Sequence, residues 1–152
     1  MDVLERICHN IMNWKPKDLV ICMGYTMEEV LPAQGAQVHA SQARVLEYLK
    51  QCTSNSILLQ DAFEVDLYLD SLGSPKSAEV IGSCYNQCVF NAVIHLLERK
   101  VPVKINPALT LCRLEIIGCM QEDIEGKGNW IEKNIKKLGF NTERNKEYLI
   151  CR

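Results

Sequence analysis

No stretch of this 152-residue sequence approaches the ~20 consecutive apolar residues that cross a bilayer. The N-terminal MDVLERICHNIMNW sets Asp2, Glu5 and Arg6 among its apolar residues, unlike the continuous apolar core of a signal peptide. A cytoplasmic protein with no membrane partner is therefore expected. The near-balanced formal charge of −2 removes the basic signature of a nucleic-acid binder or of a protein held on an anionic membrane. No Cys-x-x-Cys occurs, and His9, His39 and His95 do not pair with cysteines at zinc-finger spacing, so no metal site and no cofactor are expected. Eight cysteines without an export signal favour reduced thiols over a disulfide framework.

What is present suits one domain over residues 1–152. The chain is long enough to bury roughly 70% of its unfolded surface in one core, and 47% hydrophobic with 24% charged residues is ordinary for a globular protein. Val3, Leu4, Ile7, Ile11 and Trp14 predict an amphipathic helix over 2–14, ended by Lys15-Pro16. LVICM at 19–23 predicts a strand buried on both faces. Gly24, Pro32 and Gly35 mark a loop. Helical spacing resumes at Ser41, a strand follows at Ile57–Leu59, a helix at Val65–Leu72 and a strand at Glu79–Ile81. The longest helical pattern runs over Asn86–Lys100, followed by VPVKI as a strand, a helix at Asn129–Leu138 with Gly139 as its stop, and EYLIC as a last strand. The segment 109–127 fits helix and strand equally, and EGKGN at 125–129 reads as a turn without phosphate-loop spacing.

Short strands alternating with longer helices predict an α/β fold with a mostly parallel sheet covered on both faces. Chemistry in such folds gathers at the carboxyl ends of the strands. Ser83 to Cys88, Gln60, Asp61 and Cys22 would sit there.

The stretch DAFEVDLYLDSLGSPKSAEVIGSCYNQCVFNAVIHLLERKVPVKI, with Gly82, Asn86, Cys88 and Val89 in the spacing Gly-x-x-x-Asn-x-Cys-Val, resembles the isochorismatase-like cysteine hydrolase superfamily. The resemblance covers 61–106 well and 128–150 loosely. It implies a three-layer α/β/α, Rossmann-like domain, a hydrolase of a small amide or related carbonyl metabolite, and Cys88 as nucleophile. It also implies Asp61 as a second catalytic residue, Gly82, Tyr85, Asn86 and Phe63 around a small-molecule substrate, and a homo-oligomer. The family pairs its cysteine with an Asp at the end of the first strand and a Lys shortly before the Phe. Here Cys22 falls on the Asp slot, SNSILLQDA before Phe63 contains no Lys, and Tyr85 replaces a Thr.

A thiol attacks as its thiolate, and a place at a helix N-terminus favours that form while offering N–H groups to an oxyanion. The plain reading of Cys88 is a small residue packed in the core. His95 lies seven residues on, ~10 Å along a helix axis, and does not reach Cys88. His39, Glu28 and Glu29 are other candidates for the base, and the favoured role of Asp61, just before a helix, is to cap it. Two alternatives to the hydrolase stand beside it: a catalytically silent domain serving binding or oligomerisation, and a thiol redox protein using Cys84 and Cys88.

Overall fold

The computed structural model describes residues 18–24, 40–52, 55–112, 115 and 123–152. The helix expected over 2–14 and most of the loop expected over 24–37 lie outside them, as do residues 113–114 and 116–122 of the ambiguous segment.

Each early strand is a short apolar run, and each pairs in parallel. Strand β1 (Asp18–Met23) is central, flanked by β2 (Ser56–Leu59) on one side and β3 (Ser77–Ser83) on the other. Strand β4 (Val103–Ile105) pairs with the first half of β3, and β5 (Thr110–Leu111) pairs with its last two residues. A 3₁₀ turn, Pro107–Leu109, links the two along the same edge. The sheet then changes sense: β7 (Tyr148–Cys151) runs antiparallel to β4, and β6 (Thr142–Asn145) antiparallel to β7. The result is a mixed seven-stranded sheet in the order β2-β1-β3-β4-β7-β6, with β5 beside β3. The expected mostly parallel sheet is thus a parallel block closed by an antiparallel hairpin. Strand β6 escapes the sequence because TERN has no apolar alternation; its ladder to β7 and the 2.6 Å Arg144–Glu132 pair hold it.

Alternation along the strands sorts two cores. Ile21, Met23, Leu59, Val80, Val103 and Leu149 pack with α2 (Ala62–Leu72), α3 (Cys88–Glu98) and α4 (Ile124–Lys137). Val20, Cys22, Leu58 and Ile81 pack on Val45 and Leu49 of α1 (Ala40–Gln51), with Leu109 and Leu111 beside them. No helix among the described residues is long and apolar enough to cross a membrane.

Helix α4 begins earlier than the sequence indicates and corrects the reading of EGKGN as a turn. Asp123 caps it by accepting from Gly126 N–H at 2.9 Å, and a Cβ on Gly126 would lie 2.5 Å from the capping carboxylate. The glycines there make room for neighbours inside a helix that tertiary packing supports.

At Gly82 the backbone itself forbids a side chain. Its φ is +101°, and a Cβ would collide with the Met23 carbonyl of the adjacent strand. Gly82→Ala is expected to cost about 3 kcal/mol in denaturant unfolding. Gly73→Ala, with φ +82° but open space around it, should cost about 1 kcal/mol.

Candidate functional site

The carboxyl end of β3 delivers the chain into the tightest turn of the molecule. It leaves through a cis Ser83–Cys84 peptide. The Cys84 carbonyl accepts from Gln87 N–H and Val89 N–H, both at 3.1 Å, and Tyr85 N–H donates to Leu111 O at 2.8 Å. Cys88 is then the first residue of α3.

This helix start is capped differently from those of α2, the 3₁₀ turn and α4. Asp61, Asn106 and Asp123 each cap the element they precede with a side-chain oxygen, whereas Gln87 gives α3 no side-chain cap. Asn91 N–H reaches Gln87 O at 2.8 Å, while the Cys88 and Phe90 N–H groups meet no carbonyl among the described residues. Two donors at the positive end of the helix are left without a carbonyl acceptor, as is usual for a helix start.

Position along α3 gives the direction of Cys88. Residues 88, 92, 95 and 99 share one helical line, and that line faces α2: His95 Nδ1 lies 2.6 Å from Asp66 Oδ2, and Arg99 binds Asp66 at 2.8 Å and Asp70 at 2.7 Å. His95–Asp66 and Arg99–Asp70 each join residues 29 apart, and Arg99–Asp66 residues 33 apart, in two helices that run side by side. Cys88 stands two turns before His95 on that line. Cys88 is half-buried and packs against the larger core.

Asp61 and Phe63 are near in sequence to that level, yet their side chains are engaged elsewhere. Asp61 Oδ1 accepts from Phe63 N–H at 2.9 Å, and Glu64 reaches back to Gln60 N–H at 3.4 Å, the arrangement of a capping box. Asp61 therefore serves as the cap. Phe63 is 70% exposed and stands edge-on to His95, with ring centroids 5.6 Å apart, two turns away from Cys88. Gly82 acts through the close approach of β3 to β1 and presents no group to a ligand. Cys22, in the slot of the family's Asp, is fully buried. His39, Glu28 and Glu29 lie outside the described residues.

Tyr85 and Asn86 do meet a cavity. It measures about 540 Å³ and is lined by the turn Cys84, Tyr85, Asn86 and Gln87, by Cys112 and Glu115, and by Asp123, Gly126, Lys127 and Trp130 of α4 and its cap. Trp130 fixes one wall, taking the Tyr85 ring edge-on at 5.6 Å and that of Phe90 at 5.2 Å. Burial, and then the charges of Cys112, Glu115, Asp123 and Cys84, push the Tyr85 phenol up.

The floor of the cavity holds a buried ion pair. Lys127 is 4% exposed and Glu115 0%, with the ammonium 2.9 Å from Oε1 and 3.0 Å from Oε2. Lys127 also donates to Thr110 O at 2.6 Å, and Glu115 accepts from Cys112 N–H at 3.3 Å. The pair ties α4 to the end of β5. Sequence reasoning missed Lys127, Glu115, Cys112 and Trp130: Lys127 sits in what reads as a glycine turn, and its burial depends on a partner twelve residues away. Among the described residues no group of three His, Cys, Asp or Glu is placed to hold a metal ion.

No protein-family model, curated protein or solved structure matches the chain.

Two consequences are measurable. Lys127→Met leaves the Glu115 carboxylate buried without its cation and should lose about 3–5 kcal/mol in denaturant unfolding, most of it regained in the Lys127→Met/Glu115→Leu double variant. Burial pushes the Glu64 carboxyl up, so the folded state holds that proton more tightly than the unfolded chain. Its stabilising contribution is full below the ~4.3 of an unfolded Glu and is lost as pH rises through the raised value. Glu64→Gln, which keeps an oxygen for the cap, should flatten the fall in stability with rising pH in urea titrations.

Proposed function

We propose that the chain is a cysteine-dependent hydrolase of a small amide or related carbonyl metabolite, with Cys88 as the nucleophile, on a three-layer, isochorismatase-like α/β/α domain. The observation that carries this reading is the start of α3. A half-buried thiol is the first residue of an uncapped helix, at the carboxyl end of a strand inside the parallel block, with the Cys88 and Phe90 N–H groups left to donate. The cysteine thiolate attacks the carbonyl carbon, and those N–H groups take up the developing oxyanion. Collapse expels the amine with a proton and leaves a thioester. Water then cleaves the thioester, releasing the acid and restoring the thiol.

The proton must go to a base, and Asp61 is committed to its cap. The segment leaving Gly24, beside Ser83, carries Glu28, Glu29 and His39 and supplies the candidates. Residues 85–87, immediately before Cys88, line a cavity of about 540 Å³, a volume suited to a small metabolite; Cys88 itself is not among the lining residues. The reduced thiols fit a cytoplasmic setting.

A silent binding or oligomerisation module is the second reading. Phe63 and Leu67, one turn apart on α2, are 70% and 64% exposed, an apolar pair suited to a partner or a second copy.

Alkylation of each cysteine against pH, read by mass spectrometry on the native reduced protein, tests the hydrolase. Cys88 is expected to react fastest of the cysteines. Cys22 and Cys151 should stay silent, since both are fully buried and burial pushes the Cys151 thiol up to about 12. Cys88→Ser should then abolish turnover in an amide and ester screen while leaving the melting temperature within a few degrees. A Cys88 that stays unreactive until unfolding would sink the hydrolase, and size-exclusion chromatography of Phe63→Ser/Leu67→Ser would become the informative experiment for the module.

A further inference from the structure

The redox alternative drawn from sequence paired Cys84 with Cys88, but the fold gives Cys84 a different neighbour. Strands β3 and β5 run in parallel with Gly82 opposite Thr110 and Ser83 opposite Leu111. The residue that follows each strand is a cysteine, Cys84 after β3 and Cys112 after β5. Adjacent strands lie ~4.8 Å apart, so the last paired residues, immediately before the two cysteines, are within the ~4.4–6.8 Å between Cα atoms that a disulfide bridges. Both cysteines line the same cavity, whereas Cys88 does not. Both also act electrostatically on one group, the Tyr85 phenol, whose own N–H is bound to Leu111 O at 2.8 Å.

We infer that Cys84 and Cys112 are a vicinal dithiol across the ends of β3 and β5, and that a peroxide entering the cavity converts them to a reversible disulfide. Both are half-buried thiols in this structure, so a small oxidant meets them through the cavity mouth. The thiolate of one attacks the O–O bond of hydrogen peroxide, forming a sulfenic acid and, with a proton, one water. The other thiol attacks that sulfur, forming the S–S bond and releasing a second water. Two electrons pass from the two sulfurs to the peroxide. A dithiol or glutathione reverses the reaction by thiol–disulfide exchange.

The bridge would join the turn carrying Tyr85, Asn86 and Gln87 to the end of β5, which the Lys127–Thr110 hydrogen bond already holds to α4. It would therefore form in the wall of the cavity itself. The inference does not rest on Cys88 or on hydrolysis.

The experiment uses the full reduced chain treated with equimolar hydrogen peroxide, blocked with iodoacetamide and digested without reductant. Mass spectrometry is expected to show one dominant cross-link, between the Cys84 and Cys112 peptides, removed by dithiothreitol. Cys88→Ser should leave that cross-link in place. Cys112→Ser should abolish it and let dimedone trap a sulfenic acid on Cys84. A cross-link from Cys84 to Cys88 or to any other cysteine overturns the inference. So does recovery of Cys84 and Cys112 each alkylated or singly oxidised after treatment of the unmutated protein, a result that requires no variant to fold.

Discussion

The close pairing of β1 with β3, which ends where the Gly82 backbone lies against Met23, sets where the turn at residues 83–88 can go. With no Cβ at Gly82 the two strands stay in register to their carboxyl ends, and the turn that follows is held to one geometry. The Cys84 carbonyl gathers two N–H groups and the Tyr85 N–H is spent on Leu111. Helix α3 then starts at Cys88 because the turn has used the preceding residues. A side chain at position 82 would push β3 off β1 and displace the turn, the cavity wall and the helix start together.

From that turn the molecule divides its thiols between two environments. Cys88 lies on the helical line that carries His95 and Arg99 toward α2 and packs against the larger core. Cys84 stays with Tyr85 and Asn86 in the cavity between the turn, β5 and α4. The Lys127–Glu115 pair keeps that cavity shaped, since it fastens α4 to the strand end from beneath. The caps differ in kind: a side-chain oxygen of Asp61 or Asp123 takes one N–H in the first turn of α2 or α4, whereas in α3 the Cys84 carbonyl takes that of Val89.

Much of the scaffold was legible because local pattern and tertiary role coincide. Buried runs such as LVICM and SAEVIGS have no other stable use than as inner strands, and the Ala92, Val93, Leu96 stripe of α3 appears in the sequence as it packs in the core. The hairpin strand β6 was illegible because a polar edge strand is specified by its ladder and not by its side chains. The early start of α4 was hidden by glycines whose purpose is space for Asp123, Pro107 and Arg144. Of the site, the strand-end placement of residues 83–88 was readable. So was the cap role of Asp61, from its place just before a helix, whereas the engagement of Phe63 with His95 was not, because it depends on the direction a side chain takes after the backbone is placed.

By itself, then, the sequence determined the alternation of strands and helices, the absence of a long apolar span and the arrival of a cysteine at a strand-to-helix turn, all of which follow from residue type and spacing along one segment. Only the tertiary structure decided that the sheet is mixed, that Lys127 and Glu115 meet in the interior, and that Cys84 and Cys112 line one cavity whose lining does not include Cys88. These are relations between segments far apart in the chain. They are settled by strand register and by the burial of charge against a partner, neither of which any single stretch of residues encodes.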